Sequence, residues 1–411
     1  MNIYISGISG TAMGALALFL DKAGFSVCGS DKAAGAVTEE LKAEKIEFEI
    51  GNQDGSFLEQ QFEAGKVDWF VYTSALPHNH PELLLAKELG LKISKRDELI
   101  AFLVKKLNLK MVAVAGTHGK TTTVAMIIWA CLKLGLPISW LEGTTLGFAP
   151  AGQYDERSKF LIYEADEYDR NFLAYHPWLA VITVVDYDHP DIYPTREDYV
   201  SAFEQFKNQS ATVIEKAEMR IGLDLAGEVR RKDATLAIEA VKHICEELGA
   251  QKTDEEIVGV MNLFPGSGRR FEKIAENVYS DYAHHPEEIR ATIEIAQDEV
   301  RRLGLKGVVA IYEPHQNVRQ QEVQNEYKDS FFGAEKVFWL PTFLTRENPE
   351  LEILSAEKLI EKLDNRESAE AANLDENLAE KLKDYKAKGY LILLMTAGPA
   401  DAWLRKLFSD I

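Results

Sequence analysis

Short apolar runs alternate with longer helical stretches along the whole chain. Residues 111–115, 179–185 and 308–312 are runs of apolar, often β-branched residues, as is typical of strands that are buried on both faces. Turns and segments with helical spacing follow such runs, for example at 121–134 and 286–303. This alternation predicts an α/β fold, in which helices pack on parallel sheets.

The alternating units fall into three segments, and 411 residues exceed the roughly 250–300 residues that one core supports. A short polar stretch near residues 105–110 separates the first segment from the second, and a Pro-Gly-Ser-Gly stretch at 265–268 precedes the third. We therefore predict three domains, at residues 1–107, 108–267 and 268–411. Within the last, an acidic helical region is expected at 356–388.

The balance of charged residues argues against a nucleic-acid-binding protein. Lys and Arg number 46 against 66 Asp and Glu, which gives a net charge of −20. The basic residues are scattered among acids, so no stripe is available for a nucleic-acid backbone, and no nucleic-acid partner is expected.

Cysteine usage and hydropathy bear on the compartment. Cys28, Cys131 and Cys245 are far apart and lack metal-ligand spacing, which suits buried thiols in a reducing compartment. The N-terminus begins with a strand-like run rather than a signal peptide, and no apolar run reaches the ~20 residues that span a bilayer. We expect a cytoplasmic protein with no membrane partner.

The strongest chemical signal is a glycine-containing loop between the strand at 111–115 and the helix at 121–134. It contains Gly116, Thr117, His118, Gly119, Lys120, Thr121 and Thr122. Backbone N–H groups at such a helix start bind phosphate oxygens. Lys120 would then reach the β- and γ-phosphates of ATP, and the Thr121 hydroxyl would bind Mg²⁺.

This loop resembles the ATP loop of the Mur ligase family, and the resemblance extends over nearly the whole chain. Further motifs occur in the family's order, at residues 7–14, 164–169, 188–191, 266–271, 281–286 and 313–315. The resemblance implies a Rossmann-like UDP-binding domain, a central P-loop ATPase domain and a Rossmann-like C-terminal domain.

The family's reaction, as the resemblance implies it, joins the carboxylate of UDP-N-acetylmuramate to an amine through an acyl phosphate, with ATP and Mg²⁺. The product is a precursor of peptidoglycan. Two branches of the family fit, one that adds L-alanine and one that attaches a recycled tripeptide. The stretch at 266–271 favours the first branch, whereas the first turn and residues 282–284 resemble the second.

Site residues follow from the resemblance together with the positions of residues at strand ends. For UDP-sugar binding they are Gly7, Ser9, Gly10, Thr11, Asp31 and Ser74. For the phosphates they include Arg269 and Arg270, one of which is expected to be only a surface ion-pair partner. For the metal they are Thr121, Glu164 and His189, with Asp166, Glu167 and Asp169 expected at the surface or behind the ligands. For the amino acid they are Tyr282, His284, His315 and Arg319. Lys120, His284 and Asp281 are the expected catalytic residues, and Asp281 would orient a histidine or the amine.

The chain departs from the family pattern at two places. Where the family carries Gly-x-His-Asn-x-x-Asn for adenine, this chain has Val229, Arg230 and Asp233, and the segment from 207 to 225 is short. Gln316 stands where the alanine-adding branch usually has Arg. Adenine recognition and the amino acid are therefore open at this point.

Three other functional hypotheses are compatible with parts of the sequence. A P-loop switch or ATPase would release phosphate without an amino component. An oxidoreductase based on the first glycine turn would bind a nicotinamide cofactor, but it leaves Lys120 and Glu164 without a task. A degenerate relative would bind the UDP-sugar without turnover, which the altered adenine stretch alone supports.

Overall fold

A computed structural model of the chain describes residues 1–73, 76–189, 192–345, 347–348 and 350–408. In this part of the chain, strands and helices alternate and the strands form three sheets, one within each predicted segment. The predicted α/β class is confirmed. Among the described residues, no helix is both long and apolar enough to cross a membrane.

The first sheet has the order β3-β2-β1-β4-β5, and all its strand pairs are parallel. Its strands are β1 (Asn2–Ser6), β2 (Ser26–Asp31), β3 (Glu47–Ile50), β4 (Trp69–Tyr72) and β5 (Lys92–Lys95). Its helices are α1 (Thr11–Lys22), α2 (Thr38–Ala43), α3 (Ser56–Glu63), α4 (Pro81–Glu88) and α5 (Arg96–Lys106). Strand order reverses at β1, so the crevice beyond β1 and β4 is the ligand-binding position of such a sheet.

A buried carboxylate holds the strand ends at this crevice together. Glu82, in the first turn of α4, is 1% exposed. Its oxygens accept hydrogen bonds from the Tyr4, Ser6 and Ser30 hydroxyls at 2.7, 2.6 and 2.5 Å, and from the Gln53 amide at 3.3 Å. These charge-assisted bonds compensate the burial of the charge.

The second sheet has the order β11-β10-β6-β9-β7-β8, and only its β7–β8 pair is antiparallel among the pairs described. Its strands are β6 (Lys110–Ala115), β7 (Ser139–Leu141), β8 (Gly152–Gln153), β9 (Phe160–Glu164), β10 (Leu179–Ile182) and β11 (Val213–Ile214). Its helices are α6 (Lys120–Leu134), α7 (Arg196–Asn208), α8 (Glu228–Leu248), α9 (Asp254–Met261) and the 3₁₀ turn Tyr168–Ala174.

The third sheet has the order β12-β13-β17-β14-β15-β16, with β12 antiparallel to β13. Its strands are β12 (Glu272–Ala275), β13 (Val278–Asp281), β14 (Val308–Glu313), β15 (Ala334–Trp339), β16 (Ala369–Ala371) and β17 (Leu391–Thr396). Its helices are α10 (Pro286–Leu303), α11 (Asn317–Val323), α12 (Ala356–Ile360), α13 (Glu376–Ala387) and α14 (Ala400–Phe408), with 3₁₀ turns at Gln324–Glu326 and Arg366–Ser368. The predicted helical region at 356–388 is therefore wrong in part, because β16 interrupts it.

Two compact units contain these sheets. The N-terminal unit comprises Met1–Leu223 and Lys232–Phe264, and the C-terminal unit comprises Asp224–Arg231 and Pro265–Ile411. In the N-terminal unit the first two sheets share one apolar core, which includes Phe19 of α1 and Leu161 of β9. Helix α1 of the first sheet and strand β8 of the second approach each other closely. A Cβ on Gly152 of β8 would lie 1.9 Å from the carbonyl oxygen of Ala15 in α1.

Candidate active site

The glycine loop connects β6 to α6 with a backbone that excludes side chains at two positions. Gly116 has φ +145°, and a Cβ there would lie 2.1 Å from the Thr183 hydroxyl. Gly119 has φ +85°, and a Cβ there would lie 2.6 Å from an Asp233 carboxylate oxygen. Glycine is therefore needed for the positive φ and for the close packing. The loop ends at the N-terminus of α6, where backbone N–H groups favour an anion.

Hydroxyl groups fix this loop to the segment that follows β10, the strand that pairs with β6. Thr117 donates its hydroxyl hydrogen bond to the Asp186 carbonyl at 2.6 Å, and its oxygen lies 2.7 Å from the Tyr199 hydroxyl. Thr183 donates to the His118 carbonyl at 2.5 Å. The loop is thus preorganised, which reduces the entropy cost of binding a phosphate.

Lys120 lies against this loop in an ion pair. Its Nζ donates to Glu167 Oε1 at 3.0 Å and to the Thr117 carbonyl at 3.3 Å, and it also bonds the Gly116 carbonyl. The Glu167 side chain is only 2% exposed, so of its two expected positions the surface is excluded, and Glu167 lies behind the predicted ligand His189. Burial raises the pKa of Glu167, and the charge of Lys120 acts in the opposite direction.

The predicted metal residues lie at a helix start, at a strand end and in the loop between β10 and α7. Thr121 is in the first turn of α6, and Glu164 ends β9 beside Val114 of β6. His189 has φ +56°, and its Nε2 lies 3.7 Å from Glu167 Oε1. Among the described residues, no three His, Cys, Asp or Glu side chains are grouped so as to hold a metal alone. Mg²⁺ requires fewer, since it keeps waters and phosphate oxygens as ligands.

A second carboxylate, which the sequence analysis missed, lies beside Glu164. Glu142 follows β7, which pairs with β9 in parallel register, and it is 1% exposed. Burial raises the pKa of Glu142 well above its usual range, and the charge of Glu164 raises it further. Arg96, also missed, lines the same cavity, and neighbouring tyrosines and acids raise its pKa.

The first glycine turn follows β1 at the switch point of the first sheet. The Gly7 N–H donates to the Ser30 carbonyl at 2.8 Å, and the Ser9 N–H donates to Asp31 Oδ2 at 2.9 Å. Gly10 caps α1, whose first residue is Thr11. The Ser9 hydroxyl is buried and has no hydrogen-bond partner within the described residues. Asp31 thus shapes the turn in addition to its predicted ribose contact. Ser74 lies outside the residues that the structure describes.

The C-terminal unit brings the predicted amino-acid residues together. The rings of Tyr282 and His284 are 5.4 Å apart, and those of His284 and His315 are 5.7 Å apart. The guanidinium groups of Arg269 and Arg270 lie 5.0 and 5.2 Å from the Tyr282 ring. The cluster is therefore basic and aromatic.

Several buried polar atoms in this cluster, among them two arginine donors, lack hydrogen-bond partners among the described residues. Arg319 Nη1, Arg269 Nε and His315 Nδ1 are buried and have no hydrogen-bond partner within the described part of the chain. Gln316, the residue just before α11, has a positive φ of +62°. Unpaired buried donors and backbone strain are costly unless a ligand uses them, so the cluster has the properties of an anion site.

Asp281 does not orient a histidine, which corrects one of its two expected tasks. Its carboxylate accepts hydrogen bonds from the Phe271 and Ala283 N–H groups at 2.7 and 2.8 Å. Glu288 faces His284 instead, at 3.5 Å from Nδ1, and accepts the His284 N–H at 3.0 Å. The other expected task of Asp281, orienting the amine, stays a prediction.

We expect the stability of the protein to fall as the pH drops from about 7.5 to about 5.5. Burial lowers the pKa values of His284 and His315 in the fold. Below the unfolded pKa of about 6.5, the unfolded histidines bind protons that the folded ones refuse, so unfolding is favoured. Urea unfolding at several pH values measures this slope, and the His284→Gln variant should show a smaller one. If the free energy of unfolding depends on pH as steeply in the variant as in the original protein, His284 does not contribute to this dependence.

The residues that depart from the family's adenine pattern have other contacts. The Arg230 guanidinium lies 5.4 Å from the Phe271 ring in the C-terminal unit. In the N-terminal unit, Asp233 is 4% exposed and lies against Gly119 of the phosphate loop. Val229 is 51% exposed. Asp233 is thus placed next to the predicted phosphate site.

Comparison with known proteins agrees with this geometry. The model described as Mur ligase family, catalytic domain, matches residues 2–107, and that of the Mur ligase middle domain matches residues 114–256. A UDP-N-acetylmuramate–L-alanine ligase of Clavibacter michiganensis is 30% identical in an alignment 396 positions long, which covers 85% of this chain and 80% of the relative. Its counterpart in Clostridium acetobutylicum is 27% identical in a gapped alignment 452 positions long, which covers 97% of this chain and 95% of the relative.

Solved structures agree in fold. The UDP-N-acetylmuramate–alanine ligase of Thermotoga maritima is similar over 100% of this chain and 99% of its own, with a TM-score of 0.76 and 21% identity. A murein peptide ligase of Psychrobacter arcticus is similar over 100% and 98%, with a TM-score of 0.58 and 22% identity. Together with the sequence relatives and the two matched domains, these findings show that the chain belongs to the Mur ligase family.

Proposed function

We propose that this protein is an ATP-dependent, ADP-forming ligase that joins UDP-N-acetylmuramate to L-alanine in the synthesis of peptidoglycan precursors. The phosphate loop carries the proposal, because a loop held by hydroxyls and closed by Lys120 occurs in a chain whose relatives are named as such ligases. In this proposal, residues 1–107 bind the UDP-sugar, residues 108–267 bind ATP, and residues 268–411 bind the amino acid.

The first step would join two anions. The substrate carboxylate attacks the γ-phosphorus of ATP, the bond to the β-phosphate oxygen breaks, and ADP leaves. Charge neutralisation and positioning dominate such a step. Lys120, the backbone N–H groups of residues 116–122 and one of the arginines Arg269 and Arg270 supply positive charge in this proposal.

The residues present fit a divalent cation at Glu164. Its Oε2 is buried and has no hydrogen-bond partner among the described residues, so a cation would compensate its charge. Glu164 and the Thr121 hydroxyl would hold Mg²⁺, and His189 a second ion. A metal there supplies charge neutralisation for the phosphates.

The second step forms the amide. The amine attacks the acyl carbon, the bond to the phosphate oxygen breaks, and the amine loses a proton. His284 suits the role of acceptor, because burial lowers its pKa and keeps the ring neutral near pH 7. The alanine carboxylate would bind the unpaired donor of Arg319, with Tyr282 and His315 around it.

We expect Arg319→Gln to raise the KM for the amino acid about 10- to 100-fold, since a hydrogen bond between charged groups is lost. The turnover number should change little if the interaction is equal in ground and transition states. Steady-state kinetics with varied L-alanine measure this split. Arg290→Gln is the matched control, because Arg290 of α10 forms an ion pair at 3.4 Å with the exposed Asp329 at the protein surface. Equal KM values for both variants would exclude Arg319 from the site.

The compartment is part of the proposal. The three cysteines are free and buried in the structure, and burial raises their pKa values. Unreactive thiols without a bridge suit a reducing compartment, so we place the enzyme in the cytoplasm.

The test of the function is phosphate release from ATP with UDP-N-acetylmuramate and Mg²⁺, with L-alanine, L-serine, glycine or the murein tripeptide supplied in turn. Release that needs the sugar nucleotide and L-alanine supports the proposal. Release only with the tripeptide would assign the second branch of the family. Release without any amino component would favour a switch or ATPase, and stabilisation by the UDP-sugar without turnover a degenerate binder.

A further inference from the structure

A small cavity in the N-terminal unit contains two carboxylates that the described protein groups do not neutralise. Its volume is about 200 Å³. Its lining comprises Ala12, Arg96, Ile100, Leu141, Glu142, Gly143, Tyr163, Glu164 and Asp166. Leu141 of β7 pairs in register with Tyr163 of β9, so the next residues, Glu142 and Glu164, lie side by side at the carboxyl ends of these strands.

Hydrogen bonds satisfy only part of this pair. Glu142 Oε1 accepts the N–H of Gly143 at 3.0 Å. Glu142 Oε2 and Glu164 Oε2 are both buried, and neither has a hydrogen-bond partner within the described residues. Each buried oxygen without a donor costs about 1–3 kcal/mol, and two neighbouring carboxylates repel each other. The pair therefore needs either a shared proton or a further positive group.

The nearby protein cations have other partners. Arg96 lines the cavity, but its Nε donates to Asp97 Oδ1 at 3.3 Å. Lys120 is bound to Glu167 at 3.0 Å and to carbonyls of the phosphate loop. Among the cavity-lining residues that the structure describes, no other Lys or Arg is present.

We propose that Glu142 is a metal ligand and that Glu142 and Glu164 together hold one divalent cation. The proposal rests on the proposed function only in that ATP chemistry needs such an ion. Oxygen donors of this kind favour Mg²⁺ or Mn²⁺. Two carboxylates would balance the charge of the ion before any nucleotide is bound. Glu142 thus gives this chain a metal ligand that the family motifs in its sequence did not indicate.

A competing account makes Glu142 a neutral acid that donates a hydrogen bond to Glu164. Substitution by glutamine separates the two, because glutamine has the shape of the protonated acid and keeps a donor. In the competing account Glu142→Gln binds metal as well as the original protein does. In our proposal the variant loses one metal ligand and the negative charge of that ligand.

The experiment is Mn²⁺ binding to the full chain without nucleotide, followed by the electron paramagnetic resonance signal of free Mn²⁺. We expect Glu142→Gln to weaken the affinity about 10- to 100-fold or more. The matched control is Glu156→Gln, the same substitution at an exposed residue, which should bind like the original protein. Unchanged or tighter binding by Glu142→Gln would overturn the proposal, as would absence of Mn²⁺ binding by the original protein.

A second variant keeps the proposal testable if Glu142→Gln does not fold. Glu142→Asp keeps the charge but withdraws the oxygens by one methylene, so it should also weaken Mn²⁺ binding, and unchanged affinity in it would overturn the proposal. Ligase activity of the original protein is measured separately. Amino-acid-dependent ADP formation combined with equal Mn²⁺ affinity in Glu142→Gln would leave the proposed function intact and remove only this inference.

Discussion

Turnover of ATP by the Lys120→Met variant is expected to be about 10²- to 10³-fold slower than that of the original protein. Lys120 is the ammonium group at the phosphate loop, so its loss removes an electrostatic donor from the step in which charge develops on the transferred phosphate. The measurement is phosphate release at saturating substrates. Turnover near the original rate would exclude the phosphate-loop assignment.

The same substitution also affects stability, and a paired variant separates the two effects. Without Lys120, the buried Glu167 loses its cation, and breaking such a pair costs about 3–5 kcal/mol. Lys120→Met combined with Glu167→Gln should recover much of this loss in urea unfolding and should remain inactive. Recovery of turnover in the double variant would mean that Lys120 acts only through the fold.

Gly116→Ala is expected to lower the free energy of unfolding by about 2–6 kcal/mol, from backbone strain and overpacking together. The added methyl group meets the Thr183 hydroxyl at 2.1 Å, and Thr183 in turn holds the His118 carbonyl. Nucleotide affinity should fall as well, because the loop must shift. Urea unfolding and titration with ADP measure both effects.

Gly135→Ala is the matched control at the other end of α6. Gly135 has φ +70°, but nothing lies within 4 Å of a Cβ placed there. Its cost should be limited to about 1–2 kcal/mol of left-handed backbone strain, with nucleotide affinity unchanged. Equal losses in the two variants would show that contact with Thr183 is unimportant.

The sequence predicts the central strands better than the edges. β6, β10 and β14 are buried on both faces, and their continuous apolar runs indicate this directly. β16 is the edge strand Ala-Glu-Ala, which has no β-branched residue, and it forms because Trp339 and its neighbours offer a partner edge. Such pairing depends on tertiary structure, so local pattern could not indicate it.

The site follows the same division. Residues in compact motifs, such as Lys120 and His284, are indicated by spacing. In the structure Lys120 begins α6, after β6, and His284 lies between β13 and α10. Glu142 and Arg96 belong to no motif. Their place in the site becomes visible only in the structure, where they lie beside Glu164 and Tyr163. Asp281 was expected to orient a histidine or the amine, whereas the backbone N–H groups of Phe271 and Ala283 hold its carboxylate.

The core shared by the first two sheets has a consequence for modularity. Phe19 of α1 and Leu161 of β9 belong to one buried cluster, and Gly152 packs directly on the backbone of Ala15. A fragment that ends at residue 107 would expose this apolar face to water. The border between the two matched domain models therefore lies inside one cooperative folding unit, so the two sheets should melt in a single transition and evolve as one inherited block.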